Sequence, residues 1–214
     1  MRSGLAWPPR SAAPLRPLPT RRSANCFAEA KTFRRRLLAC CERWSGAVAP
    51  PEPKLDEAAA AFVAAGARFV VIGGFAVIAN RFVRATEDVD FLVPDDPGND
   101  RCVLAALRKL DGVRMRDEAP LAEEHLLGQA HLRALTRAGI IDVMRGGLSP
   151  LDFDTVAGEA MIAAYDGLEF PIASLRSIVG FKRLASRPRD RNDLIGLEEI
   201  HGELPNDPLP GLAD

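Results

Sequence analysis

Residues 69–93 read Phe69-Val70-Val71-Ile72-Gly73-Gly74-Phe75-Ala76-Val77-Ile78-Ala79-Asn80-Arg81-Phe82-Val83-Arg84-Ala85-Thr86-Glu87-Asp88-Val89-Asp90-Phe91-Leu92-Val93. The run Phe69 to Ile72 is β-branched and aromatic, which predicts a buried strand. Gly73-Gly74 predicts a turn, and Phe75 to Asn80 a short helix. Val89 to Val93 predicts a second strand, ended by Pro94, Pro97 and Gly98. Side chains alternate across a strand, so Asp88 and Asp90 share one face of it. Two carboxylates side by side repel, and one is driven toward protonation unless a cation lies between them. Mg²⁺ is bound by such carboxylates together with substrate phosphates; a solvated strand edge is the plainer alternative. The paired glycines allow either a tight turn or a close backbone approach to an anion at a helix start.

Working outward, Ile140-Ile141-Asp142-Val143-Met144 places one acid in an apolar strand, 52 residues after Asp90. Such an acid is costly when buried alone and less so when it faces a cation-binding cleft; taken by itself it fits an exposed strand edge equally well. Before the decisive stretch, Asp56 to Ala67 is Ala-rich and helical, with acids in its first turn. After it, Arg101 to Leu110 predicts a helix, 130–136 and 139–145 two strands, and Met161 to Ile172 a hairpin across Asp166-Gly167. Ser174 to Leu184 and Asp190 to Ile200 predict closing helices, and the tail from Gly202 reads as loose.

These pieces, taken together, resemble the polymerase-β-type nucleotidyltransferase superfamily. The carriers are Ile72-Gly73-Gly74, then thirteen residues, then Asp88-Val89-Asp90-Phe91, and later Ile141-Asp142-Val143. Gly73-Gly74-Phe75-Ala76, Arg84 to Asp90 and the late Arg187-Pro188-Arg189-Asp190-Arg191-Asn192-Asp193-Leu194 are similar to the AbiEii-like branch. That branch often carries His-Gly where this chain has Asn80-Arg81. The resemblance covers residues 55–201. It implies an α/β fold, a small mixed sheet flanked by helices. It implies that Asp88 and Asp90 bridge two Mg²⁺ ions, with Mn²⁺ as a substitute. Asp142 would bind the catalytic ion and help deprotonate an acceptor hydroxyl, while Gly73 and Gly74 bring N–H groups to a triphosphate. The expected activity is transfer of a nucleoside monophosphate from an NTP to a tRNA 3′ end, a protein or a small molecule, with a toxin and its cognate antitoxin as the family-level analogue. An antibiotic-modifying enzyme and a non-catalytic nucleotide- or partner-binding module are the alternatives. For the antibiotic case, Glu123-Glu124 and Asp152 with Asp154 could supply acids to an acceptor pocket.

Further candidates follow from spacing. Leu175, Ile178, Val179 and Lys182 fall on one helical stripe, so Lys182 points where a core residue would. It either snorkels outward or reaches a phosphate in the cleft. Arg84 and Thr86 either touch triphosphate or hold their loop. Arg187, Asp190 and Asp193 favour pairing or capping, and Asp193 is the expected partner orienting Lys182. His125, His131 and His201 fit no metal spacing and read as ordinary surface or core histidines.

Composition sets the bounds. The chain has 214 residues, 28 Lys+Arg against 29 Asp+Glu, and 47% hydrophobic residues. Residues 1–50 hold ten basic residues and two acids; the remaining 164 carry a net charge of −9. The chain as a whole is therefore not a polybasic nucleic-acid binder, although the basic arm could touch RNA or membrane. That Pro- and Arg-rich arm, 1–53, is expected to be disordered or weakly helical around 28–44. It resembles a transit peptide or translated upstream sequence, the second being preferred. The body is expected over 54–201 and the loose tail over 202–214. Cys26, Cys40, Cys41 and Cys102 form no CxxC pair, so a reduced, cytoplasmic setting is expected. Ala58 to Ala79 carries one charge, Arg68, yet its glycines and central charge favour a soluble core over a membrane span.

Overall fold

The computed structural model describes residues 50–209. The expectations for the basic arm and for Cys26, Cys40 and Cys41 lie outside them. Helix α1 (Leu55–Ala64) carries Asp56 and Glu57 in its first turn and buries Ala58, Ala59, Ala61 and Phe62. Acids at a helix start oppose the positive end of its dipole. Strand β1 is shorter than the apolar run suggests, only Val70–Val71. Ile72 already caps the next helix, and α2 begins at the first glycine (Gly73–Ala79) rather than after a turn.

Strand β2 (Asp88–Val93) lies antiparallel to β1 and parallel to β5. Helix α3 (Pro97–Lys109) starts at the residues expected to end β2. The Asp96 side chain accepts from Gly98 N–H as N-cap, and Pro97 occupies the first turn, where its missing N–H costs nothing. After β3 (Val113–Arg114) and a 3₁₀ turn (Glu123–His125) come β4 (His131–Thr136) and β5 (Gly139–Arg145), an antiparallel hairpin. A short hairpin of β6 (Gly147–Leu148) and β7 (Leu151–Asp152) leads into α4 (Phe153–Gly158). The expected hairpin across Asp166-Gly167 is present as β8 (Met161–Tyr165) and β9 (Leu168–Ile172). Helices α5 (Leu175–Ala185) and α6 (Pro188–His201) close the described chain.

Among the described residues the main sheet runs β3-β4-β5-β2-β1-β9-β8 and is mixed. The protein is therefore α/β, a central mixed sheet flanked by helices. One face of the sheet is the core. Phe62, Phe69 and Phe91 meet there, with ring centroids 4.2–5.5 Å apart. On β2 the alternation is clean where it matters: Val89 and Phe91 are fully buried while Asp88 and Asp90 point to the other face. No helix among the described residues is long and apolar enough to cross a membrane. Ala58 to Ala79 is instead helix, strand and helix.

The tail is not loose as far as Leu209. Leu204 and Leu209 are buried. Arg176 holds the Asp207 carboxylate at 2.8 and 2.6 Å, and Arg183 binds the Pro205 carbonyl and Asn206. Apolar anchors separated by prolines dock without forming regular structure, so no periodicity announces them.

Candidate active site

Pairing between β2 and β5 puts Asp90 directly beside Asp142, and Asp88 beside Ile140. Asp88, Asp90 and Asp142 each offer a carboxylate oxygen, all within 4.8 Å of one another. Burial and the neighbouring charges of Asp88 and Asp142 push the Asp90 carboxyl up to about 6, against the Gly74 N–H and Lys182, which favour its ionised form. One oxygen of Asp142, Oδ1, is buried and has the His131 Nε2 at 3.3 Å, without hydrogen-bond geometry. Three half-buried carboxylates, oxygen donors only, with repulsion at their centre and a lone pair left over, fit a hard divalent cation such as Mg²⁺.

Both glycines have a reason within the protein. Gly73 adopts φ +61, and a Cβ there would lie 1.8 Å from Asp90 Oδ2. At Gly74 a Cβ would lie 2.3 Å from Thr86 Oγ1 and 3.0 Å from Arg84 Nη2. The bare backbone lets Asp90 and the 84–86 loop close over the start of α2. The Gly74 backbone, at the start of α2, favours the ionised form of the Asp90 carboxyl. Thr86 Oγ1 donates to the Asp88 carbonyl at 3.3 Å, holding the entry to β2.

Lys182 points inward, as its stripe on α5 requires, and is nearly buried. Its Nζ meets Asp190 Oδ1 at 2.8 Å and Asp193 Oδ2 at 2.7 Å. Arg84 Nε reaches Asp193 Oδ1 at 3.0 Å, and Arg187 Nε reaches Asp190 Oδ2 at 2.9 Å. The result is one alternating chain, Arg84-Asp193-Lys182-Asp190-Arg187, tying α5, α6 and the 84–86 loop together. Burial works against the charge of Asp190, but hydrogen bonds from Lys182 and Arg187 outweigh it and hold its carboxyl below the usual range. Asp193 is thus one partner that orients Lys182, as its position suggested, and Asp190 is the second.

Two residues of the site have no sequence signature. His131 and Arg133 lie on β4 with Arg133 directly opposite Asp142. His131 Nε2 lies 3.3 Å from Asp142 Oδ1, and Arg133 reaches Asp88 Oδ2 at 3.2 Å and Asp142 Oδ2 at 3.4 Å. The Asp142 carboxylate raises the His131 imidazole above its ordinary value, against its partial burial. His131 is exposed, as a surface histidine would be, but it stands against an acid of the triad, which its spacing did not announce. Residue 131 alternates with 133 in a strand of half-polar pattern, and only the β4–β5 pairing shows what that polar face meets. The other two histidines are structural: His125 Nδ1 accepts from the Ala122 N–H, and His201 Nε2 contacts the Asn80 carbonyl at 2.7 Å. Asn80 is buried and donates to the carbonyls of Ala76 and Ala173.

A cavity of about 470 Å³ opens beside the triad, reaching Gly73, Asp90 and His131 at one end. Its wall is largely apolar, with Met144, Leu148, Leu151, Ile178, Phe181 and Leu184. Lys182, Arg145 and Arg187 also line it, and its acids are Asp90 and Asp190. Arg145 is engaged with Asp95 and Asp100 at 2.6 and 2.9 Å. Neither Glu123-Glu124 nor Asp152 and Asp154 line this cavity. Asp152 instead caps α4 through the Thr155 N–H.

No family model and no curated protein matches the chain. Among solved structures, it is similar to a crystal structure of ANT(2″)-Ia in complex with adenylyl-2″-tobramycin, at 17% identity, covering 68% of this chain and 86% of that one, TM-score 0.48. A solution structure of the antibiotic-resistance factor ANT(2″)-Ia matches at 16% identity over 68% and 81%, TM-score 0.49. An antigenic nucleotidyltransferase-like protein from Paracoccidioides brasiliensis matches at 17% identity over 69% and 78%, TM-score 0.46. Likeness at this level is no more than an overall resemblance of shape, and the chemistry must come from the side chains.

Proposed function

We propose that this protein is a Mg²⁺-dependent nucleotidyltransferase, moving a nucleoside monophosphate from an NTP to a hydroxyl acceptor. The observation that carries the proposal is the meeting of Asp88, Asp90 and Asp142 within 4.8 Å on the polar face of β2 and β5, beside a cavity. These three residues would hold the divalent ions, which when bound supply charge stabilisation to the reacting phosphate and the leaving pyrophosphate. Asp142 would take the proton of the acceptor hydroxyl as the hydroxyl oxygen bonds to the α-phosphorus. The bond from that phosphorus to the β-phosphate bridging oxygen then breaks, and pyrophosphate leaves. Lys182 lines the cavity near Asp90 and would meet a phosphate there by loosening its hold on Asp190 and Asp193. Gly73 keeps the backbone clear of Asp90. Arg84 and Thr86 support the loop that carries Asp88.

The cavity wall bears on the acceptor. A polycationic antibiotic needs acids free to receive it, whereas Asp190 is paired with Lys182 and Arg187 and Asp90 belongs to the triad. The apolar wall favours an uncharged or anionic group instead. An RNA or protein acceptor would fit a toxin kept in check by a cognate antitoxin.

The test uses the full chain, Mg²⁺ and each NTP labelled on either the α- or the γ-phosphate, with total RNA, protein extract and small hydroxyl compounds as acceptors. Transfer of the α label alone, lost in Asp90→Asn, is the expected result, and the labelled species identifies the acceptor. Transfer of the γ label alone means a kinase and overturns the proposal. No transfer to any acceptor favours a non-catalytic binding module.

A further inference from the structure

Five cations lie near the acidic triad or on the cavity beside it, and they are not held alike: exposed Arg187 holds Asp190 at 2.9 Å, and the other four differ among themselves. Lys182 is 8% exposed and paired at 2.7 and 2.8 Å. Arg145 is equally buried, with contacts of 2.6 and 2.9 Å. His131 touches only Asp142. Arg133 differs from them all. It spans two carboxylates of the triad, Asp88 Oδ2 through Nη2 and Asp142 Oδ2 through Nη1, at 3.2 and 3.4 Å. Charge-assisted contacts of good geometry are about 2.7–2.9 Å. The Arg133 side chain is 42% exposed, so it has water to withdraw into. It accepts no help from any other acid among the described residues.

We infer that Arg133 is an exchangeable counter-ion of the triad, competing with divalent cations for Asp88 and Asp142 and thereby setting the affinity of the site for them. The inference rests on the ion-binding reading of the triad proposed above. The physical case is direct. Two carboxylates cannot each give the same oxygen to a guanidinium and to a metal ion with full strength. A guanidinium bridging them lowers their repulsion by one unit charge, and a divalent ion does so by two. The bridge must therefore open, at least at one carboxylate, as an ion enters. Its long contacts and exposed stem make that opening inexpensive, whereas Lys182 and Arg145 would leave buried acids behind if they moved. Arg133 is in this sense a positioning residue, acting through Asp88 and Asp142.

The measurement is Mn²⁺ binding by calorimetry on the full chain without nucleotide, comparing wild type, Arg133→Gln and Arg133→Lys, with thermal unfolding followed with and without the ion. Removal of the competing charge is expected to tighten Mn²⁺ binding about tenfold in Arg133→Gln. Arg133→Lys, a point charge that cannot bridge as a fork, should fall between the two. The rise in unfolding temperature on adding Mn²⁺ should be larger in Arg133→Gln than in wild type. If wild type binds and Arg133→Gln binds equally or more weakly, the inference is wrong while the ion reading stands. If Arg133→Gln does not fold, Arg133→Lys decides by the same criterion. If no folded protein in the set binds Mn²⁺, the ion reading itself falls and this inference with it.

Discussion

Asp90 and Asp142 face one another across adjacent parallel strands, paired in register, yet of the two it is Asp142 that has cations in contact, His131 and Arg133. Arg133 serves Asp142 but not Asp90, and Lys182, a cation that favours the Asp90 charge, is itself bound to Asp190 and Asp193. Burial and two neighbouring carboxylates leave Asp90 the strained member of the triad. That position makes its removal informative.

Asp90→Asn should abolish nucleotidyl transfer, by at least about 100-fold, since it takes away a donor that outer-shell changes alone would cost 10–100-fold to disturb. In buffer without divalent ions the same variant should unfold no more readily than wild type at pH 7, and is expected to gain about 1–3 kcal/mol, because a carboxyl pushed up to about 6 is a burden when ionised. Chemical denaturation with EDTA reads the stability; loss of stability in the variant would contradict this view of the triad.

The pH dependence has a definite sign. The Asp90 carboxyl is pushed up to about 6 in the folded protein, against an ordinary value of 3.8. Between those values the folded state holds the proton more firmly, so the Asp90 contribution to stability is present below about 4 and is lost as pH rises through about 6. Urea unfolding from pH 4 to 7 should show that fall without divalent ions and a smaller one with saturating Mg²⁺, which favours the ionised triad. Equal profiles with and without Mg²⁺ would mean that the ion does not bind there.

Lys182→Met leaves Asp190 and Asp193 buried with less compensation. Breaking a buried ion pair by removing one partner costs about 3–5 kcal/mol, and the remaining Arg84 and Arg187 contacts place the expected loss at the lower end. Thermal unfolding measures it. Lys182→Arg keeps the charge and should recover part of the stability.

Gly73→Ala and Gly167→Ala form a matched pair. Both glycines have positive φ, +61 and +78, so each substitution carries about 1–2 kcal/mol of backbone strain. Only at Gly73 does the added Cβ collide with Asp90; at Gly167 nothing lies within 4 Å. Gly73→Ala should therefore lose Mn²⁺ binding and transfer, while Gly167→Ala loses stability alone and keeps both. Equal metal affinity in the two variants would separate Gly73 from the site.

The period of two in a strand was enough to place Asp88 and Asp90 together, because that alternation is local geometry and independent of neighbours. The acid between Ile141 and Val143 stood out as costly but fitted an exposed edge as well as a cleft, and the stripe containing Lys182 pointed that lysine inward. Local signals failed where capping chemistry overrode them: Pro97 and Gly98, read as breakers, begin a helix because Asp96 caps it, and Gly73 starts α2 at once. What the chain alone could not give is which strands lie side by side. The parallel pairing of β2 with β5 brings Asp142 to Asp90, and the antiparallel pairing of β4 with β5 brings His131 and Arg133 over the same acids. Alternation assigns a side chain to a face, but its neighbours on that face come from other strands, chosen by long-range packing of the whole core. The carboxylates were therefore legible in the sequence, and the cations that answer them were decided only by the tertiary structure.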